Sequence, residues 1–285
     1  MVWATAFALN KWLLYGALSV VIGGTATMLL WTPRRDIRAQ VQAYLLPATV
    51  AGPLFAATGF LVQVGTFAEA GLPGMVDPLY LSILWQSPAG AVALLQSLGF
   101  VAALLAALCL LRHYRRWATA LWLLGTLLLL LPFSWRGHTV DASLWVRAAL
   151  SLHVGLAAWW MGALYPLWHL SRHGDPALYG DAMAQFGQLA SWLVALLAAC
   201  GTWVLYSLIG GFGPLVQSGY GLSMLLKLAL VATVLLLAAQ NKWRLVPRLP
   251  ATAAGLSGSI RAEMLVGVAI LLVTALLSTL TGPGH

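Results

Sequence analysis

The residues whose chemistry could do work in this chain are two histidines and two methionines. His138 lies in a short polar stretch, Gly137-His138-Thr139-Val140-Asp141, and His153 lies in the apolar run that follows it. An imidazole inside a hydrocarbon-length helix is costly unless it faces protein, a partner or an ion path. At 3.6 residues per turn, His153, Ala157, Trp160 and Leu164 share one helix face, with Met161 at its edge. His153 follows Arg147 by six residues, about 9 Å along a helix axis. His138 and His153 would converge on one ion if the loop folds back, with Met161 deeper. Imidazole with thioether is a donor set for copper, whereas magnesium or calcium would want carboxylate oxygens. Alternatively, His153 bonds a neighbouring helix; spacing leaves both readings open.

Farther along, Tyr220, Met224 and Lys227 share a face of another apolar run. Lys227 either snorkels outward or faces the bundle and sets the potential of a polar cavity, with Met224 as a further thioether. Gln63 and Gln96 are expected to line that cavity or to bond between helices, and Trp160 and Tyr220 to border a transport path. His169, sixteen residues after His153, is rotated by about 160° and belongs with His173 at the other end of the helix. Glu263, two residues after Arg261, reads as an acidic first-turn residue that complements the helix dipole and pairs with Lys242 or Arg244.

What must position these groups is a membrane fold. The chain of 285 residues is 61% hydrophobic and 8% charged, more apolar surface than a soluble fold of this size could bury. Its apolar runs are continuous rather than alternating, which selects helices over a β-barrel. The expected fold is all-α: a polytopic bundle of eight transmembrane helices forming one domain over residues 1–285. The spans are expected at 7–31, 41–67, 88–111, 117–135, 145–169, 183–208, 220–240 and 260–280. The first run, with no basic stretch before it and no convincing cleavage site, reads as a retained span. Pro47, Pro53 and the glycines at 23, 24, 52 and 59 would allow kinks and close helix contacts.

Orientation follows from the cations. The first, third, fifth and seventh loops hold Arg34, Arg35, Arg38, Arg112, Arg115, Arg116, Arg172, Lys242, Arg244, Arg248 and Arg261, eleven of the fifteen Lys and Arg. Those loops are expected in the cytoplasm and both termini in the periplasm. His138 and the acidic loop with Glu69 and Asp77 then face outward, that loop being either a vestibule for cations or simply hydrated. Tryptophans near span ends, such as Trp85, Trp117 and Trp145, form interfacial belts.

Several classes are set aside. The net charge of +8 sits in short loops without an extended basic patch, so a nucleic-acid partner is not expected. Cys109 and Cys200 lie in apolar runs and read as packing residues. No phosphate-binding loop, dinucleotide fingerprint, HExxH, CxxC or GxSxG occurs, so ATP-driven transport by this chain alone is not expected, nor is an enzymatic activity. The electron-transfer alternative, a cytochrome b-like protein with heme b, meets an obstacle: His153 and His169 face opposite sides, which disfavours two hemes but not one between His153 and His138.

Four motifs bear a resemblance to a known family: Gln185-Phe186-Gly187-Gln188-Leu189-Ala190, Tyr220-Gly221 with Leu225-Leu226-Lys227-Leu228, Asn241-Lys242-Trp243-Arg244-Leu245-Val246-Pro247-Arg248-Leu249, and Ser259-Ile260-Arg261-Ala262-Glu263. With the Gly137-His138 loop and Trp159-Trp160-Met161-Gly162, they resemble the copper resistance protein D (CopD) family over residues 137–280. The resemblance implies a protein of the bacterial cytoplasmic (inner) membrane, embedded in the lipid bilayer, that moves copper ions beside a periplasmic CopC-type copper-binding partner. A non-transporting copper-binding subunit is the other reading it allows. Where the family usually carries Ser-Arg, this chain has Gly187-Gln188, which removes a cation near the inner mouth.

Overall fold

The computed structural model describes residues 2–30, 35–135, 142–209 and 219–280, with the side chains of 35–40, 177–178, 208–209, 219–220 and 280 outside that description. Among the described residues there is no strand, and eight helices are long and apolar enough to cross a membrane. These are Val2–Leu30, Val41–Ala68, Pro88–Leu111, Arg115–Ser134, Leu144–His173, Tyr179–Ser207, Gly221–Arg248 and Ala253–Thr279, called here the first to eighth spans. The chain is a multi-pass membrane protein. Between the second and third spans a short helix, Pro78–Trp85, starts where Asp77 accepts from the Leu79 and Tyr80 amides. The third span starts in the same way: Ser87 accepts from Ala89 N–H, with Pro88 at the position where a missing N–H costs nothing.

Three boundaries lie five or more residues from the expected ones, and they change the setting of charged residues. The first span begins at Val2 rather than at 7, which places Lys11 well inside it. There its ammonium donates to the Ser278 carbonyl at 3.0 Å and lies over the Phe7 ring. The seventh span does not stop at 240: a π-helical segment, Asn241–Leu245, and a 3-10 turn, Val246–Arg248, carry it onward. The eighth helix starts at Ala253. Glu263 is therefore ten residues into that helix and not in its first turn.

Helices in lipid gain little from the hydrophobic effect between them, so close packing and interhelical hydrogen bonds must hold the bundle. The first span is at the centre, with Leu14, Leu18, Val21 and Ile22 in one core with Phe100, Leu129, Trp159 and Leu164. Its middle turn, Val20–Gly24, is also π-helical. Against this turn the fifth span comes so close that a Cβ on Gly162 would stand 1.8 Å from the Ser19 carbonyl oxygen. A Cβ on Gly23 would stand 2.3 Å from the Trp159 carbonyl oxygen. Tyr44 donates to the Gly162 carbonyl at 3.3 Å and Trp122 to that of Ile22 at 3.1 Å, tying the second and fourth spans to the same crossing. Asn10 donates to the Phe55 carbonyl at 2.9 Å. Interhelical bonds of this kind average about 0.6 kcal/mol each, so the crossing depends chiefly on shape.

Candidate functional site

The fifth span, Leu144–His173, ends with Arg172 and His173 in its last turn, where cations complement the carbonyl end of the helix. Near its beginning His153 is half-buried, and its ring is seated on the sixth span. The seat consists of one helical turn. Leu197 offers its carbonyl oxygen 2.9 Å from His153 Nδ1, and Gly201, four residues later, leaves the room the ring occupies. A Cβ at Gly201 would lie 2.7 Å from the His153 Cε1.

This contact fixes the tautomer. A carbonyl can only accept, so Nδ1 carries the hydrogen, and in the neutral ring Nε2 keeps its lone pair. Among the described residues Nε2 has no hydrogen-bond partner. Pinning one ring nitrogen by a carbonyl while the other stays open is how metal-binding histidines are commonly oriented. Lys227, half-buried on the seventh span, is close enough for its charge to act on His153. Hence the fifth, sixth and seventh spans each contribute one element: the imidazole, its seat and a cation.

The other expected site residues fall in several places. His138 lies outside the described residues, and so does the side chain of Tyr220. Met224 is half-buried one turn before Lys227 on the same helix. Met161 lies eight residues beyond His153, about 12 Å of helix, and its Sδ and Cε rest against Gly267 of the eighth span. Trp160 is a buried residue of the main core. Gln63 donates to the Gly59 carbonyl of its own helix at 3.2 Å, and Gln96 is buried in the third span. Among the described residues no group of three or more His, Cys, Asp or Glu could hold a metal ion.

At the other end of the fifth span, His169 stands between Tyr165 and His173, its ring centroid 6.3 Å from the first and 4.3 Å from the second. Tyr44 stacks on Tyr165 at 4.5 Å, so an aromatic column leads from the interior to the exposed His173. Sequence reasoning placed His169 and His173 together but missed the tyrosines. It also misassigned Glu263. This carboxylate is buried, and it accepts from the amide of Asn241, not from Lys242 or Arg244. Lys242 instead donates to Ser191 Oγ of the sixth span. Asn241 opens one of the motifs of the family resemblance, but its pairing with Glu263 gave no signal, because the run 241–248 reads as a polar loop when its helical continuation is not known.

Comparison with known proteins covers both halves of the chain. Residues 2–148 match the copper resistance protein D-like N-terminal domain, and residues 180–277 match copper resistance protein D. The copper transport protein CutJ of Bacillus subtilis (strain 168) is 24% identical over 288 residues, covering 97% of this chain and 53% of that protein. The chain thus spans about half the length of this curated relative. No solved structure matches. The N-terminal match takes in the first four spans, and the second match takes in the seat of His153, Lys227 and the Asn241–Glu263 pair. On these matches, the chain belongs to the copper resistance protein D family.

Proposed function

We propose that this chain moves copper ions across the bacterial cytoplasmic membrane, inward from the periplasm, with His153 as a ligand on the way. The observation that carries the reading is the seat on the sixth span: Nδ1 is held by the Leu197 carbonyl, Gly201 makes room, and Nε2 retains a lone pair within the bundle. A neutral imidazole oriented in this way binds copper in either oxidation state. Lys227 contributes a nearby cation that disfavours accumulation of a second positive ion, so that cargo passes singly. Met224 and His138 are the remaining candidate ligands, and Met161 belongs to helix packing. The arginine-rich loops face the cytoplasm and both termini face the periplasm, which leaves His153 in the outer half. A CopC-type periplasmic protein would deliver the ion, and no nucleotide is consumed.

The test is the copper and chromophore content of purified protein after growth with copper, with cellular copper accumulation measured in parallel. Wild type should carry stoichiometric copper and no Soret band. His153→Ala should lose the copper and the accumulation while still inserting at normal levels. Unchanged copper uptake in that variant would remove His153 from the path, and a Soret band would transfer the protein to the cytochromes.

A further inference from the structure

Glu263 is the buried acid of the described residues: it lies 3% exposed, in the third turn of the last helix, against the π-helical segment of the seventh span. An ionisable group inside a membrane bundle marks a functional site more often than a structural one. Taking a carboxylate out of water without a cation to pair it is expensive, and here the group that meets it is a neutral amide. Asn241, itself 8% exposed, donates through Nδ2 to Glu263 Oε1, while its Oδ1 is buried without a partner. One turn before Glu263 on its own helix, the Ser259 hydroxyl is also buried without a partner. Two orphaned polar atoms beside one buried acid call for an explanation.

Among the described residues, no cation of the surrounding elements forms an ion pair with the carboxylate. From the first span come Lys11, bonded to Ser278, and Tyr15, packed on Phe133. The fifth span brings His153, bonded to Leu197, Tyr165 and His169, stacked on each other, and Arg172, over the Trp168 ring. From the seventh span and its continuation come Lys227, whose charge acts on His153, Lys242, bonded to Ser191, and Arg244 and Arg248, both exposed. Arg261, on Glu263's own helix, is exposed. The side chain bonded to the carboxylate is Asn241.

An amide suits either protonation state of its neighbour. Its N–H donates to a carboxylate, and a carboxylic acid in the same place would donate its O–H to the orphaned amide carbonyl while still accepting from the N–H. The carboxylate leaves Asn241 Oδ1 bare, and taking up a proton gives that oxygen the partner it lacks. A π-helical turn, which recurs at functional sites, holds the Asn. Hard oxygen donors make a poor station for Cu(I), which prefers sulfur and imidazole.

We propose that Asn241 and Glu263 form a proton-carrying site, loaded from the side bearing Arg261, and that its proton moves in exchange for or together with the cargo. In loading, a hydronium ion at the Ser259 end gives its proton to the Glu263 carboxylate, forming the acid and water; unloading reverses this. The coupling half of the proposal rests on the transport reading above, whereas the proton site does not.

Two measurements test the halves separately. The first is the pH-dependent infrared difference spectrum of the purified full chain: a carboxylic C=O band should titrate in wild type and be absent in Glu263→Gln. If the spectrum of Glu263→Gln matches wild type, the proton site is wrong, whatever the protein transports. The second is copper accumulation in proteoliposomes under an imposed pH gradient. With one proton per ion, the wild-type accumulation ratio should shift about tenfold per pH unit. Glu263→Gln, with normal copper content, should show no shift, and Glu263→Asp should restore it. Wild-type accumulation indifferent to the gradient overturns the coupling; no copper flux under any gradient overturns the transport reading, while the infrared result still decides the site. Should Glu263→Gln fail to fold, Asn241→Leu provides the comparison. It removes the amide's hydrogen bond, so the carboxylic band should move to a different frequency, and an unmoved band overturns the site.

Discussion

The fifth span meets two partners through glycine, with opposite results. At Gly162 it touches the first span backbone to backbone, with no room for a Cβ on either side. At His153 it touches the sixth span through an imidazole ring, and the glycine, Gly201, is on the partner. The first contact is enclosed, with 72% of the apolar window of the first span buried. The second is peripheral, in a sixth span with 11% of its window buried. Removal of a Cβ therefore lets two backbones meet at one end and leaves a seat for an imidazole at the other. A small residue in a membrane helix has no fixed meaning until its partner is known.

That contrast can be broken most forcefully at the crossing. Gly162→Ala sets a methyl group against a backbone carbonyl that cannot rotate away, at the upper end of overpacking costs, about 3 kcal/mol. The yield of folded protein and its thermal midpoint in detergent should fall sharply. Gly201→Ala should act differently. It displaces the His153 ring and its bond to Leu197 while leaving the central core untouched, so copper affinity should fall about tenfold with little change in thermal midpoint. Equal effects of the two variants on stability would erase the distinction drawn here. The smallest effect is expected at Met161, whose thioether packs on Gly267. Met161→Leu keeps the volume and should cost less than about 1.5 kcal/mol with copper content unchanged; loss of copper would return that sulfur to the path.

The spans were legible from the sequence because hydrocarbon thickness sets a length that continuous apolar runs reveal. His153 was legible because an imidazole inside such a run is rare and costly. The seat was not, since helix periodicity says which residues share a face but not which helix that face meets. Met161 shows this limit: it lies at the edge of the His153 face, yet its side chain goes to the eighth span. Asn241 and Glu263 were hidden for a different reason. A π-helical turn inserts a residue into the helical repeat, so the run 241–248 loses its periodicity and reads as a loop. With the helix ending too early at one side and starting too late at the other, Glu263 fell at an interface where Lys242 and Arg244 were the natural partners to expect.

The central crossing also has a consequence for how the chain is made. The most enclosed helix leaves the ribosome well ahead of the stretch that closes on it, Trp159 to Ala163, which follows four spans later. At ordinary elongation rates that interval is on the order of ten seconds. Throughout it the first span stands in lipid without the fifth. Two of its hydroxyls are provided for, Ser19 donating to the Tyr15 carbonyl and Thr27 to that of Gly23, both within the same helix, whereas the buried Thr25 hydroxyl has no partner among the described residues. The helix can thus wait in the bilayer with the first two groups satisfied, and the glycine turn stays open until the fifth span arrives to fill it.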